Sequence, residues 1–456
     1  MDVIIGFFNV IKDAGATIMM PIVIFLFSLC MGVKPGKAIR AGLFVGIGFV
    51  GLNAMINMMT GSLAPAVQAM VERYGLTLDA VDIGWVPSSA IAFASTIGAI
   101  IIPLGLVVNV IMLVTNTTQT IDIDIWNYWH FAFTGAMVQS LTGSLPMGVA
   151  AAALNMVIVL VIADRTAPGV EKYNGLPGVS IPMGFAAAFA PIAAAFNWVI
   201  DKIPGVRDIS LDMETVQNKL GVLGEPALIG AVFGAVIAAL AGYDLVAIGT
   251  AAITLSAALV LIPKMAAVLM EGLLPLSDAT SAFIEKHFKN RGKIYVGLDS
   301  AVGIGHPVCL TCSLVLIPLS ILLAVILPGN RVLPFADLSV MPHIFVLIIG
   351  ITRGDYFRSL LIGGLTMIAM LYCGTSLVPL LMETAAVADP ATYGNYVGAF
   401  SSICDGCNPL TWLMIQISNF QWIGIAILAV AGIALAFWNR KKITSAAHVE
   451  AEAAAE

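Results

Sequence analysis

The sequence predicts an all-α polytopic membrane protein of about eleven transmembrane helices, built as two inverted repeats with re-entrant hairpins. Three observations lead there. Hydrophobic residues make up 59% of the 456 residues and charged residues 11%, which excludes a soluble globular domain. Apolar runs long enough to cross a hydrocarbon layer roughly 30 Å thick recur along the whole chain. Motifs of the first half also return in the second.

Spans are expected near 14–32, 41–59, 96–114, 129–141, 146–163, 226–242, 245–262, 306–327, 341–352, 357–377 and 421–438. Segments 177–197 and 398–417 are apolar but interrupted by Pro, Gly and polar residues. They read as re-entrant hairpins, because irregular backbone at membrane depth survives only where protein or a water-filled cavity satisfies it. Two further broken pieces, Gly84–Ala94 and Gly297–Pro307, precede the third and eighth spans. Residues 1–14 lack a basic start followed by a small-residue cleavage motif, so no removable signal peptide is expected.

The net charge of −6 says less than where Lys and Arg sit, since their loop asymmetry sets orientation. Lys34, Lys37 and Arg40, then Lys286, Lys289, Arg291 and Lys293, then Arg353 and Arg358, then Arg440, Lys441 and Lys442 all face the cytoplasm if the N-terminus lies outside. The acidic stretch Glu383–Asp389 and the loop carrying Glu72, Asp79 and Asp82 then fall outside. Trp126, Tyr128 and Trp129 read as an interfacial aromatic belt, as do Trp198 and Trp422, and Asp124 as a solvated loop residue.

The repeat divides the chain. Ile102-Pro103-Leu104 matches Ile317-Pro318-Leu319, each in a span that runs on to Asn116 or Asn330. Asp124 and His130 match Asp337 and His343 at the same interval, Ser180-Ile181-Pro182-Met183-Gly184 matches Ser402-Ile403-Cys404-Asp405-Gly406, and Pro21 pairs with Pro226. Residues 1–200 form the first repeat, with a two-span scaffold hairpin at 14–59 and core elements at 82–197. A cytoplasmic linker follows at 201–225, and the second repeat at 226–418 has its scaffold at 226–262 and its core elements at 297–417. The last span lies in 419–440, before a tail at 441–456 expected to be disordered. Paired broken helices in inverted repeats place a solute where the breaks meet.

The polar knot Ser402–Trp412 is the strongest single signal, because Asn408 and Pro409 form an N-cap and first-turn pair that starts a half-helix inside the membrane. Intramembrane carboxylates otherwise look scarce, with Asp405 first and Asp299 next. No Gly-Lys-Ser/Thr phosphate loop is present, so ATP hydrolysis by that route is excluded. Side chains that both donate and accept suit a neutral polyhydroxylated solute. The candidate solute-binding residues are Trp85, Ser88, Ser89, His130, Ser180, Met183, Asp299, His306, His343, Asp405, Asn408, Thr411 and Gln416. His130 and His343 could instead tie neighbouring helices together. Cys309-x-x-Cys312 and Cys404-x-x-Cys407 have metal-like spacing but lack His neighbours apart from His306, and they read as buried thiols. No catalytic residue, cofactor, metal or nucleic-acid partner is expected.

Several stretches together carry a family resemblance: Pro21–Ser28, the Gly-rich Ala41–Gly51, Asp82-Ile-Gly-Trp85, Asp124–His130, Gly224-Glu-Pro226, Gly297-Leu-Asp299, Pro328-Gly-Asn330 and Leu333-Pro-Phe335. Across residues 15–440 the chain resembles the membrane component, enzyme IIC, of the galactitol branch of the bacterial phosphotransferase system. The resemblance implies a homodimeric, elevator-type permease of the inner membrane, related to ascorbate permeases. It also implies separate cytoplasmic IIA and IIB partners, with phosphate passing from a cysteine of IIB to a sugar or polyol held by IIC. Its polar hairpin positions correspond to Trp85, Ser88, Ser89, His130, Asp299, His306, Asp405 and Gln416. The chain departs from the pattern at Met183, where galactitol-type sequences carry His, and at Cys404 and Cys407, where they carry smaller or polar residues. These departures leave galactitol, another polyol or a pentose-like sugar as the solute. The rival readings are an ion-coupled secondary transporter and a membrane sensor that does not transport.

Overall fold

The computed structural model describes residues 21–22, 24–26, 28–74, 78–209, 226–287, 293–334, 336–388, 390–394 and 399–453. In chain order the first half gives α1 (Pro35–Arg73), β1 (Ala80–Asp82), α2 (Trp85–Ala94), α3 (Thr96–Val114), β2 (Thr120–Asp122), α4 (Tyr128–Thr142), α5 (Leu145–Asn174), β3 (Val179–Ser180) and α6 (Gly184–Ile200). The second half gives α7 (Pro226–Leu240), α8 (Leu245–His287), β4 (Tyr295–Gly297), α9 (Pro307–Ile326), β5 (Val332–Leu333), α10 (Met341–Thr352), α11 (Tyr356–Ala388), α12 (Pro390–Tyr393), β6 (Ala399–Ser401), α13 (Pro409–Ser418) and α14 (Gln421–Ala453). Most of the linker, Lys289, Arg291 and the start of the first scaffold span lie outside the described residues.

The molecule is mostly helical, and among the described residues five helices are long and apolar enough to cross a membrane: α3, α5, α9, α11 and α14 as far as Ser445. The span expected at 96–114 coincides with α3, which starts where the Ser95 side chain accepts from the Gly98 N–H at 3.0 Å. It ends just before Asn116, whose φ of 56° turns the chain left-handed. α1 and α8 run far past the bounds read from hydropathy, to 39 and 43 residues. The apolar runs end near 59 and 262, but helix formers continue, so each helix spans about 60 Å at 1.5 Å per residue. Likewise α14 continues to Ala453, where a disordered tail was expected from 441, because an Ala/Glu-rich stretch has high helix propensity.

Helix α8 makes the two most extensive interhelical contacts of the fold, with α1 and with α7. These three helices meet the rest mainly through α1 on the turn 336–340, α8 on the turn 300–302, and α7 on α9. The remaining helices form a second body around α5, α6, α10 and α11. Two crossings there depend on glycine. At the α4–α5 crossing a Cβ on Gly135 would come 2.8 Å from the Gly148 carbonyl oxygen, and at the α5–α10 crossing a Cβ on Gly169 would come 3.0 Å from the Gly350 Cα. Large apolar side chains left exposed on α1, α3 and α14, such as Leu43, Val110 and Ile423, provide lipid-facing surface.

The all-α expectation misses one feature. The strands form two three-stranded parallel sheets, ordered β5-β1-β6 and β2-β4-β3. Matching β1, β2 and β3 to β4, β5 and β6 turns one order into the other, and each central strand comes from the opposite half to its partner β5 or β2. The sheets therefore weld the two repeats together. Asp82 pairs with Ser401 and Gly297 with Ser180, so the ladder equates Ser180 with Ser401, one residue off the match read from sequence. The buried Asn109 braces β2 through the Thr120 carbonyl (2.9 Å) and the Asp122 N–H (3.1 Å), and Asn330 braces β5 through both polar groups of Val332. Asn109, not Asn116, is thus the working counterpart of Asn330.

Candidate functional site

Each hairpin leaves its sheet, turns, and starts a helix at the centre of the second body. In the first, residues 181–183 separate β3 from α6, and Met183 occupies the N-cap with no side-chain hydrogen bond to the helix. In the second, residues 402–408 separate β6 from α13. Asn408 caps α13 as its sequence predicts, its Oδ1 accepting from the N–H groups of Leu410 (2.9 Å) and Thr411 (3.2 Å), with Pro409 following. The Asn408 Nδ2 donates to the Gly184 carbonyl at 3.2 Å and to Asp405 Oδ1 at 3.1 Å. The two tips therefore touch. A Cβ on Gly184 would sit 2.6 Å from the His130 Cβ, so the start of α6 can approach α4 only without a side chain.

His130 closes this contact. Its Nδ1 lies 2.7 Å from Asp405 Oδ2, with 1% of the His130 side chain exposed and 0% of Asp405. Both oxygens of Asp405 are then engaged by protein donors. The donor cluster that a buried carboxylate requires is present, and it consists of His130 and Asn408. Beside it Thr134 and Thr411 share a hydroxyl hydrogen bond of 2.9 Å, and Asn155 donates to Thr134 at 2.6 Å. The Trp129 ring lies 4.1 Å from the His130 ring, centroid to centroid. Cys404 completes a buried trio with these two whose ligand-type atoms lie within 4.8 Å of one another. Because imidazole and carboxylate already hold each other, the trio reads as a hydrogen-bonded pair with a thiol beside it.

The opposite tip carries a different set. Asp299 caps the turn 300–302, its Oδ1 accepting from the Ala301 N–H at 2.6 Å. The Ser300 hydroxyl lies 2.6 Å from the Met183 sulfur and 2.7 Å from His343 Nδ1, while His343 is 4.0 Å from Asp299 Oδ1. Ser300 was not among the residues chosen from sequence, since an isolated serine after Gly-Leu-Asp carries no signal of its partners.

The structure thus brings together His130, Asp405, Asn408 and Thr411 on one side and Met183, Asp299 and His343 on the other. It does not bring in the rest. Trp85 begins α2, half-buried, with its ring edge-on to Trp126 at 6.3 Å. Ser88 bonds to the Gly84 carbonyl within its own helix at 3.0 Å, and Ser89 is buried on the same helix. Ser180 accepts from Thr120 across the sheet at 2.9 Å. His306 caps α9, its Nδ1 accepting from the Val308 N–H at 3.2 Å. Gln416 lies two turns beyond Asn408, near Asn419. A groove of roughly 280 Å³ of mixed character, lined by Ser95, Gln139, Ser140, Glu383, Val387 and Ala388 among others, opens at the far end of α4. Gln139 is about 14 Å along that helix from His130, so this groove does not reach the contact between the tips.

Buried carboxylates are not scarce, as the sequence had suggested: Asp82, Asp122, Asp124, Asp164 and Asp337 join Asp299 and Asp405. Most serve backbone N–H groups at sheet ends. Asp82 accepts from Gly84, Ile403 and Asp337 (3.1, 3.1 and 2.7 Å), and Asp337 from Trp85 and Cys404 (2.6 and 2.9 Å) and the Ser402 hydroxyl (2.8 Å). Asp124, read as solvated, is buried and accepts from Trp126 and Asp299, both at 3.1 Å. It binds the opening of the opposite repeat's broken piece, as Asp337 does in the other half. Tyr128 and Trp129, read as an interfacial belt, are buried too, whereas Trp198 and Trp422 are exposed. At the rim Arg331 beside Asp79 holds that carboxyl below its usual range by hydrogen bonding and charge.

Comparison with known proteins gives the family. The family described as "PTS system sugar-specific permease component" matches residues 9–401. A "Putative permease IIC component" of Escherichia coli K12 is 38% identical over 435 residues, covering 95% of this chain and 99% of that protein. The "PTS system galactitol-specific EIIC component" of the same strain is 37% identical over 436 residues, covering 95% and 96%, and its counterpart in Escherichia coli O157:H7 gives the same values. A family match over most of the chain, and relatives aligned over nearly their full length, establish that the chain belongs to the sugar-specific permease (IIC) family of the phosphotransferase system, multi-pass proteins of the inner membrane that work with a cytoplasmic IIB protein.

Proposed function

We propose that this chain carries a neutral polyhydroxylated solute, galactitol or a related polyol, into the cell while a separate IIB protein phosphorylates it. The observation that carries the reading is the junction of the two hairpin tips, where Asn408 bonds to Gly184 and polar side chains of both repeats converge. The solute binds between the tips, contacting His130, Asn408 and Thr411 from one side and Ser300, His343 and Asp299 from the other. Trp85, Ser88, Ser89, His306 and Gln416 remain proposals for an opened state. Helices α1, α7 and α8, which pack chiefly on one another, act as the scaffold on which two copies dimerise and past which the second body moves as an elevator. The N-terminus lies outside and the C-terminus in the cytoplasm, where the basic residues Lys34–Arg40 and Lys293 offer a docking face for IIB. The ion-coupled rival draws on the buried acids, but the oxygens of Asp82 and Asp337 already accept protein N–H and O–H groups.

Thermal unfolding of the purified protein against galactitol, other polyols, hexoses, pentoses and ascorbate tests the reading. A solute at a hundred times its dissociation constant stabilises the folded state by about 2.7 kcal/mol. Galactitol or a near relative is expected to raise the midpoint. A flat panel, or uptake driven by an ion gradient without a phosphoryl donor, would overturn it.

A further inference from the structure

We propose that His130, held by Asp405, is the general base that accepts the hydroxyl proton of the bound solute as it is phosphorylated, an inference that rests on the transport reading above. A carboxylate only accepts, so the imidazole nitrogen 2.7 Å from Asp405 Oδ2 carries the hydrogen. In the neutral imidazole the lone pair is then on Nε2. That atom is buried and has no hydrogen-bond partner among the described residues. A buried acceptor left without a donor is unfavourable, and a solute hydroxyl supplies the missing donor. An oriented carboxylate, an imidazole fixed in one tautomer and a free Nε2 together make a base.

The step balances. The solute O–H gives its proton to His130 Nε2 while the hydroxyl oxygen forms a bond to the phosphorus of a phosphocysteine on the partner protein. The S–P bond breaks, and its electron pair leaves with sulfur as a thiolate. The products are the solute phosphate ester and an imidazolium paired with the Asp405 carboxylate, which loses its proton to water when the tips part. The other repeat does not offer this arrangement, since His343 Nδ1 meets a serine hydroxyl and stands 4.0 Å from the nearest Asp299 oxygen. Asp405 is the positioning residue, and Cys404 beside it, buried among carboxylates, takes no part.

The test separates binding from phosphoryl transfer, using the full-length protein in lipid vesicles with phosphorylated IIB and galactitol. His130→Gln keeps a polar group near the Nε2 position but cannot take the proton. Galactitol should raise its unfolding midpoint less than in the wild type, since one solute contact is altered, while kcat for phosphorylation falls about a hundredfold or more, far beyond the change in binding. Asp405→Asn preserves hydrogen bonding but no longer fixes the tautomer, and it should lower kcat at least tenfold, more than it weakens binding. It serves as the second variant if His130→Gln does not fold. Phosphorylation at the wild-type kcat in both variants, or a rise in KM with kcat unchanged, would overturn the inference alone. A wild type that galactitol does not stabilise overturns the transport reading and this inference with it.

Discussion

In the first repeat residues 181–183 lead from strand to helix, and the capping position holds a thioether, Met183, in contact with Ser300. In the second, residues 402–408 make the same passage, and the added turn delivers Asp405 and Asn408 to His130 and to the Gly184 carbonyl. The surrounding backbone is the same in both: sheets of equivalent order, braced by Asn109 and Asn330, with Asp124 and Asp337 accepting from the opposite repeat. Pseudo-symmetry is therefore kept by backbone hydrogen bonds and broken by side chains. One tip carries an imidazole–carboxylate pair held by a hydrogen bond, and the other a soft thioether against a serine hydroxyl.

The largest expected effect comes from breaking the engaged tip. Asp405→Ala strands the His130 Nδ1–H and one donor of Asn408 in a buried site, and should cost about 3 kcal/mol of stability. The corresponding cut at the other tip, Ser300→Ala, removes the hydroxyl that meets Met183 and should cost about 1 kcal/mol. Unfolding midpoints of the two purified variants in one detergent check this; equal losses would mean that the tips are energetically alike. Next in size is Gly184→Ala, whose Cβ would lie 2.6 Å from the His130 Cβ. Overpacking there should cost about 1–3 kcal/mol and push the tips apart, which a higher labelling rate of a cysteine placed at position 411 would report.

A smaller effect sharpens the comparison from the solute's side. Met183→His makes the first tip polar as the second is, setting an imidazole beside Ser300 and His343. One added hydrogen bond is worth about 1 kcal/mol, so affinity for a more hydroxylated solute should rise about fivefold relative to a less hydroxylated one. Midpoint shifts across the solute panel measure the ranking, and an unchanged ranking would remove position 183 from the specificity surface.

How much of this was legible in the sequence follows from the range of each interaction. The Asn408-Pro409 start of α13 was readable because a cap acts on N–H groups two and three residues away. The pairing of Asp124 and His130 with Asp337 and His343 was readable because repeats preserve spacing. The two sheets were not, since strands of two or three residues carry no periodicity and take their partners from the other half of the chain. For the same reason Asp124 looked solvated and Asp82, Asp164 and Asp337 went unchosen. A lone aspartate gives no sign of the distant N–H groups it will accept from. His306 and Gln416 were chosen by residue type, which gives no sign that one caps its own helix or that the other lies two turns beyond Asn408 along α13.

The smallest effect lies at the outer ends of the strands. Arg331 and Asp79 clamp β5 to β1 with a bond of 2.6 Å, both side chains being more than a third exposed. At the equivalent edge of the other sheet, Gln119 donates to the Lys293 carbonyl at 2.5 Å, and Lys293 pairs with Glu171. Solvent screening reduces such an exposed pair to about 0.5 kcal/mol. Arg331 lowers the Asp79 pKa in the folded state, so at that site the unfolded chain binds the proton more readily. The contribution is thus whole at neutral pH and fades as pH falls through the carboxylate range toward the lowered folded value. Asp79→Asn should shift the midpoint slightly at pH 7, and the gap from wild type should narrow on acidification. A gap independent of pH would mean that the strand edge is held by the β1–β5 ladder alone, with the ion pair contributing nothing.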